Sequence, residues 1–228
     1  MRRLLIAFMV FALCGAASAA PVSLTNPSFE AQTVVDGTTL NSYWTSWNCI
    51  VAQPLNPIPP STQGFGLRNP NGTELATPQT ATDGVNFGIL GRVSTLQTTW
   101  DRAWQSTVQI QANTIYTLTF DLAAITSQPS DEFIAGSLIS SSSSSTLGTT
   151  TLGFVYDDAR TDYQWLTGNT VVWDSTGSSE VGNYLEILFD GNRVCVDNVR
   201  LDATLVPEPA TLSLLGLGSL LLVFRRRA

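Results

Sequence analysis

The chain contains no histidine and no lysine. Without histidine, neither a Ser-His-Asp nor a Cys-His arrangement can be built, and without lysine there is no amine base. The sequence also has no phosphate-binding loop and no zinc-ligand spacing. Among the 18 acidic residues, no spacing singles out an acid and a nucleophile for glycoside hydrolysis. On this evidence the sequence predicts a protein that is not an enzyme.

The N-terminus has the three parts of a secretory signal peptide. Arg2 and Arg3 precede an apolar run from Leu4 to Leu13, and Ala17-Ser18-Ala19 supplies the small residues of a cleavage site. We expect cleavage between Ala19 and Ala20, which removes residues 1–19.

The C-terminus carries a second signal. Pro207-Glu208-Pro209 is followed by an apolar run from Ala210 to Phe224 and then by Arg225-Arg226-Arg227. A helix of about 15 residues is roughly 22 Å long, short for a hydrocarbon core of about 30 Å, although snorkelling arginines extend its reach. Residues 206–228 resemble the PEP-CTERM sorting signal of Gram-negative envelope proteins. The resemblance implies a transient inner-membrane anchor and an exosortase-type enzyme that cuts near Pro207, Glu208 and Pro209.

The two arginine clusters also predict topology and compartment. By the positive-inside rule both remain cytoplasmic, so the segment between them is exported. From Ala20 to Pro209 the chain keeps six arginines and all 18 acidic residues, a formal charge of −12. Such a surface repels nucleic acid and is compatible with divalent cations and neutral polymers. Nucleic-acid binding is therefore excluded.

Cys49 and Cys195 are the only cysteines of the exported segment. In an oxidising compartment two cysteines can pair, and a bridge would constrain a long stretch of the unfolded chain. The alternative is two separately buried thiols that behave as small hydrophobic residues. The sequence leaves both alternatives open.

Hydrophobic alternation and frequent turn residues predict an all-β domain of one β-sandwich over residues 20–205. Thr114–Leu122 is β-branched, aromatic and alternating, and is expected to be a central strand. Asp190-Gly191-Asn192 predicts a tight hairpin, and the serine run Ser140–Ser145 predicts a hairpin loop. Gln53–Asn71 contains five prolines and predicts a long irregular loop. The other predicted strands are Gly84–Leu90, Trp104–Ile110, Phe133–Ser140, Thr149–Tyr156, Tyr184–Asp190 and Arg193–Asp202.

Three segments resemble carbohydrate-binding-module and galactose-binding-like jelly rolls. They are Asn26–Glu30 with Trp44 and Trp47, then Ala112–Phe120, and finally Val196–Leu201. They occur in the order found in those families and cover nearly the whole exported segment. The resemblance implies a single antiparallel jelly-roll sandwich and association with a polysaccharide.

A structural calcium ion is a further expectation. Period-two alternation places Asp197 on the same face as Val199 and Leu201, so its carboxylate is expected to point inward and to need a cation or several donors. In the families that the chain resembles, the residues matching Glu30 and Asp197 hold calcium together with main-chain carbonyls. The alternative is that both carboxylates accept N–H bonds or pair with arginine.

Tryptophan faces stack on sugar rings, and the candidates for glycan contact are Trp100, Trp104, Trp165 and Trp173. For each of these, burial in the core is the competing interpretation. Trp44 and Trp47 are expected in the core.

Together these features predict a non-enzymatic, polysaccharide-associated protein of the Gram-negative cell envelope, outer surface or extracellular biofilm matrix. Two alternatives are a glycan-active hydrolase that uses a carboxylate pair and an adhesin that binds other proteins.

Overall fold

The computed structural model describes residues 19–40, 44–50, 65–72, 78, 80–90, 101–124, 133–158, 164–192 and 194–206. In these ranges every regular element is a β-strand, and the strands form two antiparallel sheets. The predicted all-β sandwich is therefore confirmed. No helix in these ranges is long and apolar enough to cross a membrane. The expected anchor helix, Pro207, Glu208 and Pro209 lie outside the described residues.

One sheet has seven strands. Its order is β10-β7-β12-β5-β4-β2, and β1 pairs with β12 beside this path. The strands are β1 (Ala19–Val22), β2 (Thr38–Leu40), β4 (Phe65–Asn69), β5 (Phe87–Leu90), β7 (Thr114–Ala124), β10 (Leu166–Asp174) and β12 (Val194–Leu205).

The second sheet has five strands in the order β3-β6-β11-β8-β9. They are β3 (Asn48–Ile50), β6 (Asp101–Gln109), β8 (Phe133–Ser141), β9 (Thr150–Asp158) and β11 (Tyr184–Asn192). As predicted, β7 is internal to its sheet. The serine run is only partly a loop, because Ser140 and Ser141 end β8 and the residues after them join it to β9.

The hairpin predicted at Asp190-Gly191-Asn192 is wrong. β11 pairs with β6 and β8, whereas β12 pairs with β1, β5 and β7 in the other sheet. The short connection crosses the sandwich because both strands bury apolar residues on inner faces that oppose each other. The irregular loop predicted for residues 53–71 is also only partly correct, because Phe65–Asn69 forms β4.

The core lies between the two sheets and is rich in aromatic residues. Phe29 contacts Trp44 edge to face with 4.6 Å between ring centroids, and Trp44 contacts Trp47 in the same way. All three side chains are buried, which confirms that Trp44 and Trp47 belong to the core. Gly88 lies against Trp44 and Phe29, where a Cβ atom would collide with both rings.

The alternation predicted for the last strand is wrong because β12 contains a bulge. The pairing of β12 with β7 shifts between Asp197 and Arg200, and Asn198 has a left-handed φ of 52°. The inner face therefore carries Val194 and Val196 before the bulge and Val199 and Leu201 after it. Asp197 lies on the opposite face from Val196, yet it is fully buried.

The cysteines lie in different environments. Cys49, on β3, packs against the core between the sheets, whereas Cys195, on β12, is buried with Phe87 and Ile89 on the outer face of the seven-stranded sheet. Both are thiols in the structure. The disulfide that the sequence left open is not formed, because one sheet lies between the two side chains.

Candidate functional site

The outer face of the five-stranded sheet carries two carboxyl groups on its central strand, β11. Leu185, Ile187 and Phe189 point into the core. Because side chains alternate along a strand, Glu186, Leu188 and Asp190 occupy the other face. Glu186 and Asp190 are four residues apart, so their Cα atoms are separated by about 13 Å.

Neighbouring strands continue this face as cross-strand rows. Leu188 is paired with Trp104 on β6 and with Ser137 on β8, and Ser137 is paired with Phe154 on β9. Paired residues share a face, so these four side chains form a middle row in which all but Ser137 are apolar or aromatic. Glu186 lies in the row on one side of it and Asp190 in the row on the other.

The middle of this face is recessed, whereas Phe154 on the edge strand β9 is 64% exposed. Glu186 is 0% exposed, Trp104 7% and Asp190 8%. Four buried polar atoms on the face have no hydrogen-bond partner in the described part of the chain: Trp104 Nε1, Ser106 Oγ, Glu186 Oε1 and Asp190 Oδ1. Buried polar groups are normally paired, and an unpaired group costs about 1–3 kcal/mol. Four such atoms on one face make it a candidate ligand site.

Glu186 is held by a single donor. Its Oε2 accepts a hydrogen bond of 2.9 Å from the backbone N–H of Gly148, in the loop between β8 and β9. No arginine forms an ion pair with it among the described residues. Burial raises the pKa of the Glu186 carboxyl above its usual value, and the Gly148 N–H offsets only part of this rise. Gly148 has no room for a side chain, because a Cβ atom would collide with the Ser140 carbonyl.

Asp190 has a different environment. Its Oδ2 accepts a hydrogen bond of 2.8 Å from Nε of Arg102, the residue paired with it on β6. Burial raises the pKa of the Asp190 carboxyl, but the guanidinium charge and the hydrogen bond from Arg102 oppose that rise. Two carboxyl groups whose environments differ in this way are suited to different roles, one as an acid and one as an anion. Glu186, with no cation beside it among the described residues, is the better acid.

The carboxylates of Glu30 and Asp197 hold a loop on the other side of the sandwich. Asp197 Oδ2 accepts the Thr82 N–H, the Asp83 N–H and the Thr82 hydroxyl at 2.7–3.0 Å. Glu30 Oε1 accepts the N–H groups of Val85 and Asn86, both at 2.7 Å. The two residues therefore bind successive parts of one loop through N–H donors, which is the alternative to calcium stated above.

Oxygen atoms nevertheless converge beside Glu30. Nδ2 of Asn86 lies 3.1–3.4 Å from Glu30 Oε2 and from the carbonyl oxygens of Phe29 and Gln32. A carboxylate and main-chain carbonyls are ligand types that calcium prefers. In the described ranges, no group of three or more histidine, cysteine, aspartate or glutamate side chains is placed to hold a metal ion. The calcium site stays a prediction. The oxygen atoms around Glu30 fit a calcium ion better than the N–H and hydroxyl groups around Asp197 do.

The tryptophans proposed for glycan contact have distinct positions. Trp104 lies in the recessed face. Trp165 donates its indole N–H to the Thr80 carbonyl at 2.7 Å and contacts Phe87 edge to face. Trp173 stacks on Tyr116 with 5.9 Å between centroids. Trp100 lies outside the described residues. Of the three candidates that the structure describes, Trp104 is the one that accompanies the two carboxyl groups.

Comparison with known proteins decides the family. The family model HpiC1-like, described as HpiC1 cyclase, matches residues 20–202. The chain belongs to the HpiC1-like family. The prediction of a non-enzymatic protein is therefore wrong, because the family is one of cyclases. The prediction rested on the absence of histidine, lysine and a diagnostic spacing of acids. A buried carboxyl group becomes an acid through its surroundings in the fold, and the spacing of acids in the sequence does not show those surroundings.

Solved structures share the fold of this HpiC1-like chain. An apo cyclase from Fischerella sp. aligns with a TM-score of 0.64 and 19% identity over 82% of this chain and 98% of that one. A cyclase from Fischerella sp. TAU in complex with 4-(1H-indol-3-yl)butan-2-one aligns with a TM-score of 0.63 and 19% identity over 81% and 97%. A family 61 carbohydrate-binding module with bound β-1,4-galactotriose has a TM-score of 0.47 and 14% identity over 80% and 98%. No curated protein matches by sequence.

The C-terminal signal is also confirmed. The PEP-CTERM protein-sorting motif matches residues 205–227. The protein is therefore exported and carries a sorting signal for exosortase processing.

Sequence reasoning missed Glu186, Asp190, Arg102 and Ser106, although one signal was available. In Leu185–Asp190 every residue is apolar except the two acids. A strand with apolar residues at both odd and even positions is expected to be covered on both faces, so acids within it are expected to be buried. A buried acid is in turn a candidate for function.

Proposed function

We propose that the protein is an exported cyclase that closes a ring by proton transfer on the recessed face of the five-stranded sheet. The observation that carries this proposal is Glu186, a fully buried carboxyl group with a raised pKa and one unpartnered oxygen beside an aromatic row. Membership in a cyclase family supports it.

In the proposed reaction, Glu186 donates its proton to a double bond of the substrate. The O–H bond breaks, a C–H bond forms, and a carbocation is left beside the glutamate carboxylate. The electron pair of an aromatic ring or a second double bond then forms the new C–C bond. Loss of a proton from the ring-closed cation back to Glu186 restores the acid. The reaction is an isomerisation, so no oxidant or reductant is required.

The other residues of the face have complementary roles in this proposal. Asp190, kept anionic by Arg102, stabilises the developing positive charge. The faces of Trp104 and Phe154 add cation–π stabilisation, and Leu188 helps to exclude water that would trap the cation.

The substrate class follows from the same surface. A middle row of aromatic and aliphatic side chains favours a flat, apolar molecule, and the unpartnered oxygen atoms favour one with an N–H or O–H donor. The related cyclase that binds 4-(1H-indol-3-yl)butan-2-one supports an aromatic heterocycle of this kind. We therefore propose an aromatic compound that carries an alkene chain.

Turnover of a panel of alkenyl aromatic compounds tests the proposal. We expect at least one to give a product of unchanged mass and altered chromatographic retention, and we expect Glu186→Gln to abolish its formation. Asp174→Asn, which changes an exposed carboxylate outside the site, is the control. Equal turnover by Glu186→Gln and wild type would refute the assignment of Glu186.

A neutral glycan is a second candidate ligand for the same face. An indole beside two carboxyl groups with unpartnered oxygens can stack on a sugar ring and accept hydrogen bonds from its hydroxyls. Trp104→Phe keeps an aromatic ring and removes the indole N–H. If the ligand is a glycan, polysaccharide retention on an affinity gel should fall in Trp104→Phe and Glu186→Gln alike. If the ligand is an alkenyl aromatic, neither variant should change retention.

The sorting signal supports a cellular location for this activity. We propose that the processed domain stays at the Gram-negative outer surface or in its polysaccharide matrix. Detection of the mature domain in the cytoplasmic fraction would exclude this location.

A further inference from the structure

The two processed ends of the chain lie side by side in the fold. β1 pairs antiparallel with the end of β12, with Ala20 opposite Ala203 and Pro21 opposite Asp202. Signal cleavage is expected before Ala20, and the sorting motif begins at residue 205. Both membrane-directed segments therefore leave the domain at one end of one sheet.

The folded structure continues almost to the sorting motif. Leu205 is paired with Thr114 on β7, and the Val206 N–H donates a hydrogen bond of 2.7 Å to the Asn113 carbonyl. Pro207 follows immediately. The residues between this hydrogen bond and the apolar run that starts at Ala210 span at most about 10 Å when extended. Before processing, this end of the sandwich must therefore lie against the membrane.

The surface at this end fits such a position. Besides the termini it consists of three loops, at residues 110–113, 142–149 and 175–183. Two of these loops are joined by the Ile110 N–H, which donates to the Asn183 carbonyl, and the Asn183 side-chain amide donates to Ser140 Oγ at the end of β8. The three loops contain no arginine, and Glu180 is their only charged residue. This hydroxyl-rich surface carries few charges, Glu180 and the adjoining Asp174, and its three loops contain no cation to bind anionic lipids, so the domain can lie close to the membrane while only its tail is inserted.

We propose that this end of the sandwich is the surface presented to the membrane-embedded sorting enzyme, and that the enzyme cuts only after the end of β12 has separated from β1 and β7. A processing enzyme needs an extended and accessible substrate segment. The last residues of β12 are instead paired with β7 as far as Leu205, and as far as Ala203 they are also paired with the part of β1 that remains after signal cleavage. Strand ends open readily compared with whole domains, so cleavage occurs but its rate is set by this opening.

Processing rates of full-length variants in the native host test the proposal. A Gly-Ser-Gly-Ser insertion between Val206 and Pro207 moves the motif away from the strand and should speed conversion to the shorter form by about tenfold, the factor that corresponds to one hydrogen bond. The same insertion between Gly177 and Ser178, in a loop at the same end, is the control and should leave the rate unchanged.

A disulfide variant tests the converse case, in which the end of β12 is held against β1. Pro21→Cys with Asp202→Cys places two thiols opposite each other, and the disulfide should slow conversion, while each single substitution should not. Thermal unfolding of each variant confirms that it is folded. Pulse-labelled chains analysed by intact mass give the rates. Equal rates for wild type, the Val206–Pro207 insertion and the disulfide variant would overturn the proposal, since cleavage would then not require β12 to open.

Discussion

Glu186 and Asp190 flank Leu188 on one face of β11, and each has one carboxyl oxygen bound and the other without a partner in the described ranges. Their bound partners differ: a neutral N–H group for Glu186 and a guanidinium for Asp190. This difference gives two carboxyl groups on one strand different chemistry.

The ionised form of Glu186 is expected to destabilise the folded protein. Because burial raises its pKa, the folded protein loses stability as the pH rises through that pKa, where the carboxyl group must ionise without a cation. Glu186→Gln keeps the shape and removes this cost. We expect Glu186→Gln to melt at a higher temperature than wild type at pH 8, with a smaller difference at pH 5. A lower melting temperature at both pH values would show that Glu186 has a structural role.

Arg102 and Asp190 are expected to be coupled. Arg102→Gln leaves a buried carboxylate without its cation, and we expect a loss of about 1–3 kcal/mol in the free energy of unfolding. Adding Asp190→Asn should recover part of this loss. Arg200→Gln is the control, since Arg200 lies 4.0 Å from Asp83 in an exposed pair and should cost less than about 1 kcal/mol. Urea unfolding of wild type, the two single variants Arg102→Gln and Asp190→Asn and the double variant gives the coupling energy, and strictly additive losses would contradict it.

Asp197 should make stability depend on pH. Burial raises its pKa from 3.8 to about 6, although four hydrogen-bond donors oppose the rise. Between these values the folded state keeps a proton that the unfolded state has lost. In chelator-containing buffer, stability should therefore fall by about 1.4 kcal/mol per pH unit from pH 4 to 6 through this residue. Asp197→Asn should be less stable overall and should lose this part of the slope, as urea titrations at several pH values can show. An unchanged dependence of stability on pH in Asp197→Asn would show that a different group has the raised pKa.

The calcium prediction has a separate test. If Glu30 and the neighbouring carbonyl oxygens hold calcium, chelation should lower the melting temperature of wild type, because an ion bound only to the native state stabilises it. Glu30→Gln should melt at a similarly low temperature with or without calcium, and Asp197→Ala should show whether that residue shares the ion. A wild-type melting temperature that does not respond to chelation would remove calcium from the account.

The strands with clear alternation could be predicted from sequence, and Thr114–Leu122 is the plainest case. The bulge at Asn198 was harder to predict. The core residues change parity between Val196 and Val199, but Cys195 also allows the regular alternation that was expected for this strand. The failed hairpin at Asp190-Gly191-Asn192 shows a related limit. A turn sequence indicates where the chain changes direction, whereas the sheet that each strand joins is decided by long-range pairing.

The candidate site was harder to predict for the same reason. The sequence predicts Trp104 as one candidate for glycan contact, with burial as the competing interpretation, but the strand register is what places Leu188 and Ser137 in its row. Glu186 resembles an ordinary surface acid until β8 and β9 are paired and their loop covers it. Its chemistry is a property of burial, and burial depends on the whole fold.

The central claim is that Glu186 transfers a proton to carbon, and turnover in deuterium oxide tests it most directly. A carboxyl proton exchanges with solvent, so the account predicts that wild type gives a product with one deuterium at the newly protonated carbon. It also predicts that Glu186→Gln slows formation of this product about 10²- to 10⁴-fold, as expected for loss of a general acid. A product formed at the wild-type rate without deuterium, or an undiminished rate in Glu186→Gln, would contradict it.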